Sequence, residues 1–215
     1  MTYLEIVNGV LRRLREDSVS SWNQNTYSTM VGDFVNDAKH QVEGAWDWSQ
    51  NRSIITVNTV ASTQGYTLTG FGQNGKIISA YNDTQNNEIH RVDQHYMDHQ
   101  NYTAQTTSGE PRFYCFRGED SSDDSKIELW PIPDAVYSLK FNCVIDQDDL
   151  AADGTVLQIP WRPVLLLAVA MLAEEKGETG GATSARYFEM ADKALADAIQ
   201  MDAAKHSGET IWYQI

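Results

Sequence analysis

The sequence predicts an α+β protein: a discontinuous four-helix bundle with an inserted antiparallel β domain and an extended C-terminal arm. Three observations lead there. Apolar residues recur every three or four positions before Trp46 and again beyond Pro160, the period of amphipathic helices. Between Arg52 and Ile145, short β-branched and aromatic runs are punctuated by Gly, Asn, Asp, Ser and Pro, the texture of an antiparallel β unit. The chain then closes on Ile211, Trp212, Tyr213, Gln214 and Ile215, an apolar run hung on the Ser207-Gly208 hinge. Residues 1–51 and 148–206 are therefore expected to be the two halves of the bundle, 52–147 the inserted β domain, and 207–215 the arm.

Taken in order, Leu4, Val7, Leu11 and Leu14 form one apolar stripe of a first helix, with Arg12, Arg13 and Arg15 mostly on its other faces. "EDSVSSWNQN" breaks that pattern. A second helix is expected to start at Asn25 or Thr26, with Tyr27, Val31, Phe34, Ala38, Val42 and Trp46 on one side. "SIITVNTV", "GYTLTGF", "KIISAYN", "EIHRV", "RFYCFRG", "KIELWPI" and "YSLKFNCVI" read as strands, interrupted by one helical turn within Val92–Tyr102. Pro160 and Pro163 suit a helix start, because the missing N–H of proline has no intrahelical partner there. That third long helix is apolar around nearly its whole circumference, which makes it the most enclosed one, and Gly177 suits its end. A last helix over about 183–205 turns Tyr187, Ala191, Ala194 and Ala198 to one face. Two helices before the β unit and two after it carry complementary apolar faces, so the β unit is an insertion between them. Trp46 and Trp48 fall at the junction, where large rings can cover the seam.

At 215 residues the chain can bury roughly 70% of its unfolded surface without staples. Thirty acidic residues against sixteen basic ones leave a net charge of −14, which disfavours tight wrapping of nucleic acid. The same sign suits the wall of a DNA passage, since a polyanion does not adhere to it. Cys115 and Cys143 sit in no ligand pattern and are expected as reduced thiols buried in strands. The N-terminus has helical periodicity without the apolar region of a signal peptide, which predicts a cytosol-like compartment. The longest apolar run, Val164–Ala173, is ten residues, well short of the ~20 a spanning helix needs, so no membrane contact is expected.

His95 and His99 are four apart beside Asp98, with His90 upstream, but the Glu of the HExxH pattern is absent and a surface helix explains the same residues. Gly177–Ser184 is glycine-rich yet lacks the Lys of a phosphate loop and follows a helix instead of a strand. Acid pairs such as Glu43 with Asp47, or two within Asp146–Asp149, can be imagined as a glycosidase couple, but so acidic a chain forms accidental pairs. No Ser or Cys lies in a nucleophile motif. The expectation is no catalytic residue, no metal and no cofactor.

"DFVNDAKHQVEGAWDW" at the end of the second helix, "GEPRFYCF", and "IELWPIPDAVYSLKF", in this order and between these helices, resemble the head-to-tail connector proteins of short-tailed bacteriophages, of the tail tubular protein A and tail accessory factor kind. The resemblance covers nearly the whole chain. It implies a non-enzymatic virion protein at the head-tail interface, assembled in the host cytoplasm, and part of the channel for DNA ejection. About twelve copies would form a ring with closed symmetry. The ring would meet the portal protein on one face and the tail nozzle protein on the other. DNA would pass without sequence-specific binding. The arm, Ile211–Ile215, would insert into the portal; the competing expectation is that it folds back on its own bundle. The β insertion is longer than in the smallest members of that kind.

Two other readings make different demands. A carbohydrate- or receptor-binding tail module requires exposed Tyr and Trp converging on one β face. A cell-wall hydrolase requires an acidic pair with one carboxyl held neutral.

Overall fold

The computed structural model describes residues 1–103, 107–177 and 182–206 and has mixed α+β architecture. Five α-helices lie among the described residues: α1 (Tyr3–Arg13), α2 (Thr26–Gly44), α3 (Gln94–Thr103), α4 (Trp161–Glu175) and α5 (Ala182–Ala203). Eight strands accompany them: β1 (Arg52–Asn58), β2 (Gly65–Thr67), β3 (Lys76–Asn82), β4 (Asn87–Glu88), β5 (His90–Arg91), β6 (Phe113–Glu119), β7 (Ser125–Trp130) and β8 (Ser138–Val144). The chain divides into two compact units, Met1–Gln50 with Gln147–Ile215, and Asn51–Asp146.

In the helical unit, α1 starts on a reciprocal cap: Glu5 N donates to Thr2 Oγ1 (3.3 Å) while Thr2 N donates to Glu5 Oε2 (2.8 Å). Asn25 and Ser28 do the same for α2. Tyr3, Ile6, Val7, Val10 and Leu11 are the buried face of α1. Leu4 and Leu14 are only half-buried, so the stripe lies about one position away from the expected one. The three extra residues, Tyr3, Ile6 and Val10, widen the apolar sector enough to face both α2 and α4.

Helix α4 is the centre of this unit, packing against α1, α2 and α5. Val164, Leu165, Ala168, Val169 and Leu172 are all fully or almost fully buried, as its all-round apolar sequence predicts. Gly9 permits close approach of α1 to α4, since a Cβ there would lie 2.7 Å from Leu165 Cδ1. Gly177 follows α4 with φ +61°, the left-handed conformation glycine adopts without a steric cost. Lys176 closes the same end by donating to Glu16 Oε1 (2.7 Å).

The β unit is built from two sheets, ordered β1-β8-β3-β4 and β2-β7-β6-β5. Val57, Ala80, Leu139 and Phe141 of the first share one core with Tyr114, Ile127 and Leu129 of the second. Tyr114 meets Phe141 edge to face at 5.6 Å between ring centres, a favoured aromatic geometry. On the other side of the second sheet, Met97 of α3 packs with Cys115 and Trp130. Arg117 ties that layer by pairing with Asp98 of α3 (2.7 Å) and with Glu128 of β7 (2.9 Å).

Two expectations for the β unit are corrected. "EIHRV" is not one strand: Glu88 ends β4 in the first sheet, His90 starts β5 in the second, and buried Ile89 is the crossing point. Its second part runs parallel to β6, so this sheet is mixed and not wholly antiparallel. The interrupting helical turn is a helix of ten residues, α3. Its exposed side mixes Gln94, His95 and His99 with Tyr96 and Tyr102, which leaves little amphipathic pattern to read in advance.

Candidate functional site

Both stretches of chain that join the units are fixed onto the helical unit by polar side chains. Lys39 and Glu43, four apart on α2, form an ion pair of 2.9 Å with both side chains fully buried. The pair is not closed on itself. Lys39 Nζ donates to the carbonyl of Gln147, and Glu43 Oε1 accepts from Gln147 N at 3.1 Å. Asn36, one turn earlier, accepts from Leu150 N (2.9 Å) and donates to Leu150 O (3.3 Å). Gln147 carries the attachment onward, donating to Val156 O (2.9 Å) and accepting from Gln158 N (3.0 Å). Asp153 then bridges to the first helices: its side chain accepts from Trp22 N (2.7 Å) and its carbonyl from Leu4 N (3.2 Å). Burial of two charges is offset by their mutual pairing and by the main-chain bonds of Gln147 to both of them.

The other join is held from α5. Asp202 accepts from Ser49 N (2.9 Å), Ser49 Oγ (2.7 Å), Trp46 Nε1 (3.2 Å) and Lys205 Nζ (2.9 Å). Burial works against its charge, but the bonds from Lys205 and from Ser49 outweigh this and hold the carboxyl down at about 2. Trp48, fully buried, donates its indole N–H to Val42 O (2.8 Å) and belongs to the core of the helical unit.

Ser49, His206 and Asp202 lie together, with His206 Nε2 2.6 Å from Ser49 Oγ. They do not form a hydrolytic triad. Asp202 bonds the Ser49 hydroxyl directly, whereas a triad places its carboxylate behind the imidazole. The arrangement holds the end of α5; it does not prepare a nucleophile.

The residues singled out by sequence are placed as follows. Ile211, Trp212, Tyr213, Gln214 and Ile215 lie outside the described residues, as do residues 178–181 of the Gly177–Ser184 stretch. Glu43, half of one imagined acid pair, is consumed by Lys39 and Gln147. Asp149 is exposed and bonded to His40 (2.7 Å). His95 and His99 are both exposed on α3, and His90 lies against Phe113 (6.5 Å between ring centres). Among the described residues, no three or more of His, Cys, Asp and Glu gather as metal ligands. Cys115 and Cys143 are buried free thiols, and burial pushes Cys143 up to about 12, which makes it inert as a nucleophile.

Exposed aromatic rings do not converge in the β unit. Tyr81 is on the outer face of the first sheet, whereas Tyr96 and Tyr102 are on α3, which covers the second. The stacking platform demanded by a carbohydrate module is not assembled among the described residues.

Sequence reasoning missed both anchors. Lys39 and Glu43 had a visible signal, because an i,i+4 ion pair lies within the apolar series Val35, Ala38 and Val42. Asp202 had only a faint one, an acid on the Ala198-Ile199 face; its partner Ser49 is 153 residues away.

A family model described as SU10 adaptor protein matches residues 1–211. None of the curated proteins matches.

Proposed function

Because this chain belongs to the SU10 adaptor protein family, structural phage proteins of the virion, we propose that it is the ring-forming head-to-tail adaptor between portal and tail nozzle. About twelve copies close the ring by one repeated lateral contact, so each contact can be weak while the assembly is stable. The observation that carries this reading is the family match, which spans both units of the chain.

The physical chemistry supports it in two further ways. A net charge of −14 keeps a passing polyanion from adhering to the channel wall. The joins at Ser49 and Gln147 are fixed to the helical unit by partly buried polar bonds, which suits a part that must transmit load between head and tail.

The arm, Ile211–Ile215, is the portal-docking element of this reading. In sequence it follows the helix end that Asp202 anchors. Deleting Ile211–Ile215 is expected to abolish co-sedimentation with portal rings while leaving the circular dichroism spectrum unchanged. A truncated chain that still docks contradicts the arm's role.

A further inference from the structure

Asparagine is followed by glycine twice in this chain, at Asn8-Gly9 and at Asn74-Gly75. This pairing is the one most prone to spontaneous loss of the side-chain amide. Glycine has no side chain to shield the main-chain nitrogen that attacks, and its backbone turns most freely into the attacking geometry. The fold decides whether the attack occurs, and it treats the two pairs in opposite ways.

Asn8 is locked. It lies inside α1, where Gly9 N belongs to the helical hydrogen-bond ladder and the backbone is held in one conformation. Its amide is tied at both ends, since Nδ2 donates to Val19 O (3.0 Å) and Oδ1 accepts from Val19 N (2.8 Å).

Asn74 has none of this protection. With Gln73 it forms an exposed turn between β2 and β3. Among the described residues, no carbonyl accepts from Gly75 N and no hydrogen bond holds the Asn74 amide. Yet the glycine after it is required by packing: a Cβ at Gly75 would run into Phe71 O and lie 2.8 Å from Phe71 Cδ1. Phe71 is almost fully buried in the sandwich core and cannot yield. The approach to the turn is fixed as well, because Gly70 N and Gly72 N donate to the Asp124 carboxylate (3.0 and 3.1 Å). The core therefore demands glycine at the one place where an exposed asparagine precedes it.

We propose that Asn74 is a site of self-modification. Gly75 N gives up its proton to solvent and attacks Asn74 Cγ; the N–Cγ bond forms, the Cγ–Nδ2 bond breaks, and the amide nitrogen leaves as ammonia. Water then adds to either carbonyl of the resulting succinimide, giving aspartate, or isoaspartate where the main chain now runs through Cγ. One ammonia leaves and one water enters, with no change of oxidation state. Each converted copy gains one carboxylate, so its net charge goes from −14 to −15. In the iso form one more carbon enters the main chain of the turn that leads into β3, where Gly75 packs over Phe71. The adaptor reading does not depend on this chemistry.

Peptide mapping by mass spectrometry, on the full chain kept folded in warm, mildly alkaline buffer, tests the proposal. The peptide holding Asn74 is expected to exchange NH for O at least about tenfold faster than the peptide holding Asn8, and to separate into aspartate and isoaspartate forms on chromatography. In concentrated urea both pairs are equally free, and the ratio is expected to fall to within about threefold. Asn74→Gln is expected to abolish the product at this position with an unchanged circular dichroism spectrum. A folded chain in which Asn74 converts no faster than Asn8, or a rate advantage that persists undiminished in urea, would overturn the proposal.

Discussion

Lys39 and Glu43 are buried together, and the energetics of such a pair are asymmetric. Removing one partner leaves the other as an uncompensated charge in a dry site, at a cost of about 3–5 kcal/mol, whereas replacing both with apolar residues of similar volume is often close to neutral. Lys39→Met is therefore expected to lower the urea midpoint sharply. Lys39→Met/Glu43→Leu is expected to recover much of that stability, less the bonds to Gln147. Asp202 makes the opposite kind of prediction, one that depends on pH. Its carboxyl is held at about 2 in the folded chain, below the unfolded value near 3.9. Its contribution is complete above pH ~4 and is lost as pH falls towards 2, and the shift corresponds to about 2 kcal/mol. In urea melts from pH 5 to 2, Asp202→Asn is expected to flatten this part of the stability profile and to lie below wild type at pH 7. Gly32 is constrained by space alone: a Cβ there would run into the Tyr3 hydroxyl and lie 2.9 Å from Trp22 Cε3. Tyr3 is fully buried and cannot yield, so Gly32→Ala is expected to cost about 1–3 kcal/mol by thermal melting, by overpacking.

At the scale of elements, α4 is the structural axis of the helical unit, and its sequence announces this. Leu165 touches the α1 side at Gly9 and is almost fully buried, so Leu165→Ala is expected to cost about 2–5 kcal/mol in chemical denaturation. The long helices were legible because period and caps agree: Asn25 starts α2, and Gly177 follows α4. Strand positions were legible because turn residues separate them. Pairing was not, since it depends on which strands meet in space. Ile89, where the chain leaves one sheet for the other, differs in no local way from a mid-strand isoleucine. The two anchors show the same limit. An i,i+4 pair on a buried face can be read from α2 alone, while the Ser49–Asp202 contact exists only after the β unit returns the chain to the helices. The expected portal-binding residues lie outside the described part of the structure.

For the whole molecule, the two units have separate hydrophobic cores, and the polar bonds at Ser49 and Gln147 hold both chain crossings to the helical unit. That organisation offers no prepared nucleophile and no ligand cluster among the described residues, but it offers firm attachment points. The central claim is that the surfaces left over are covered by sister copies and by the portal. Electron microscopy of the purified chain mixed with portal rings tests it most directly. The account predicts an extra annulus of protein stacked coaxially on one face of the portal, with rotational symmetry of about twelve. Portal particles that remain bare at saturating concentrations of a folded chain would contradict it.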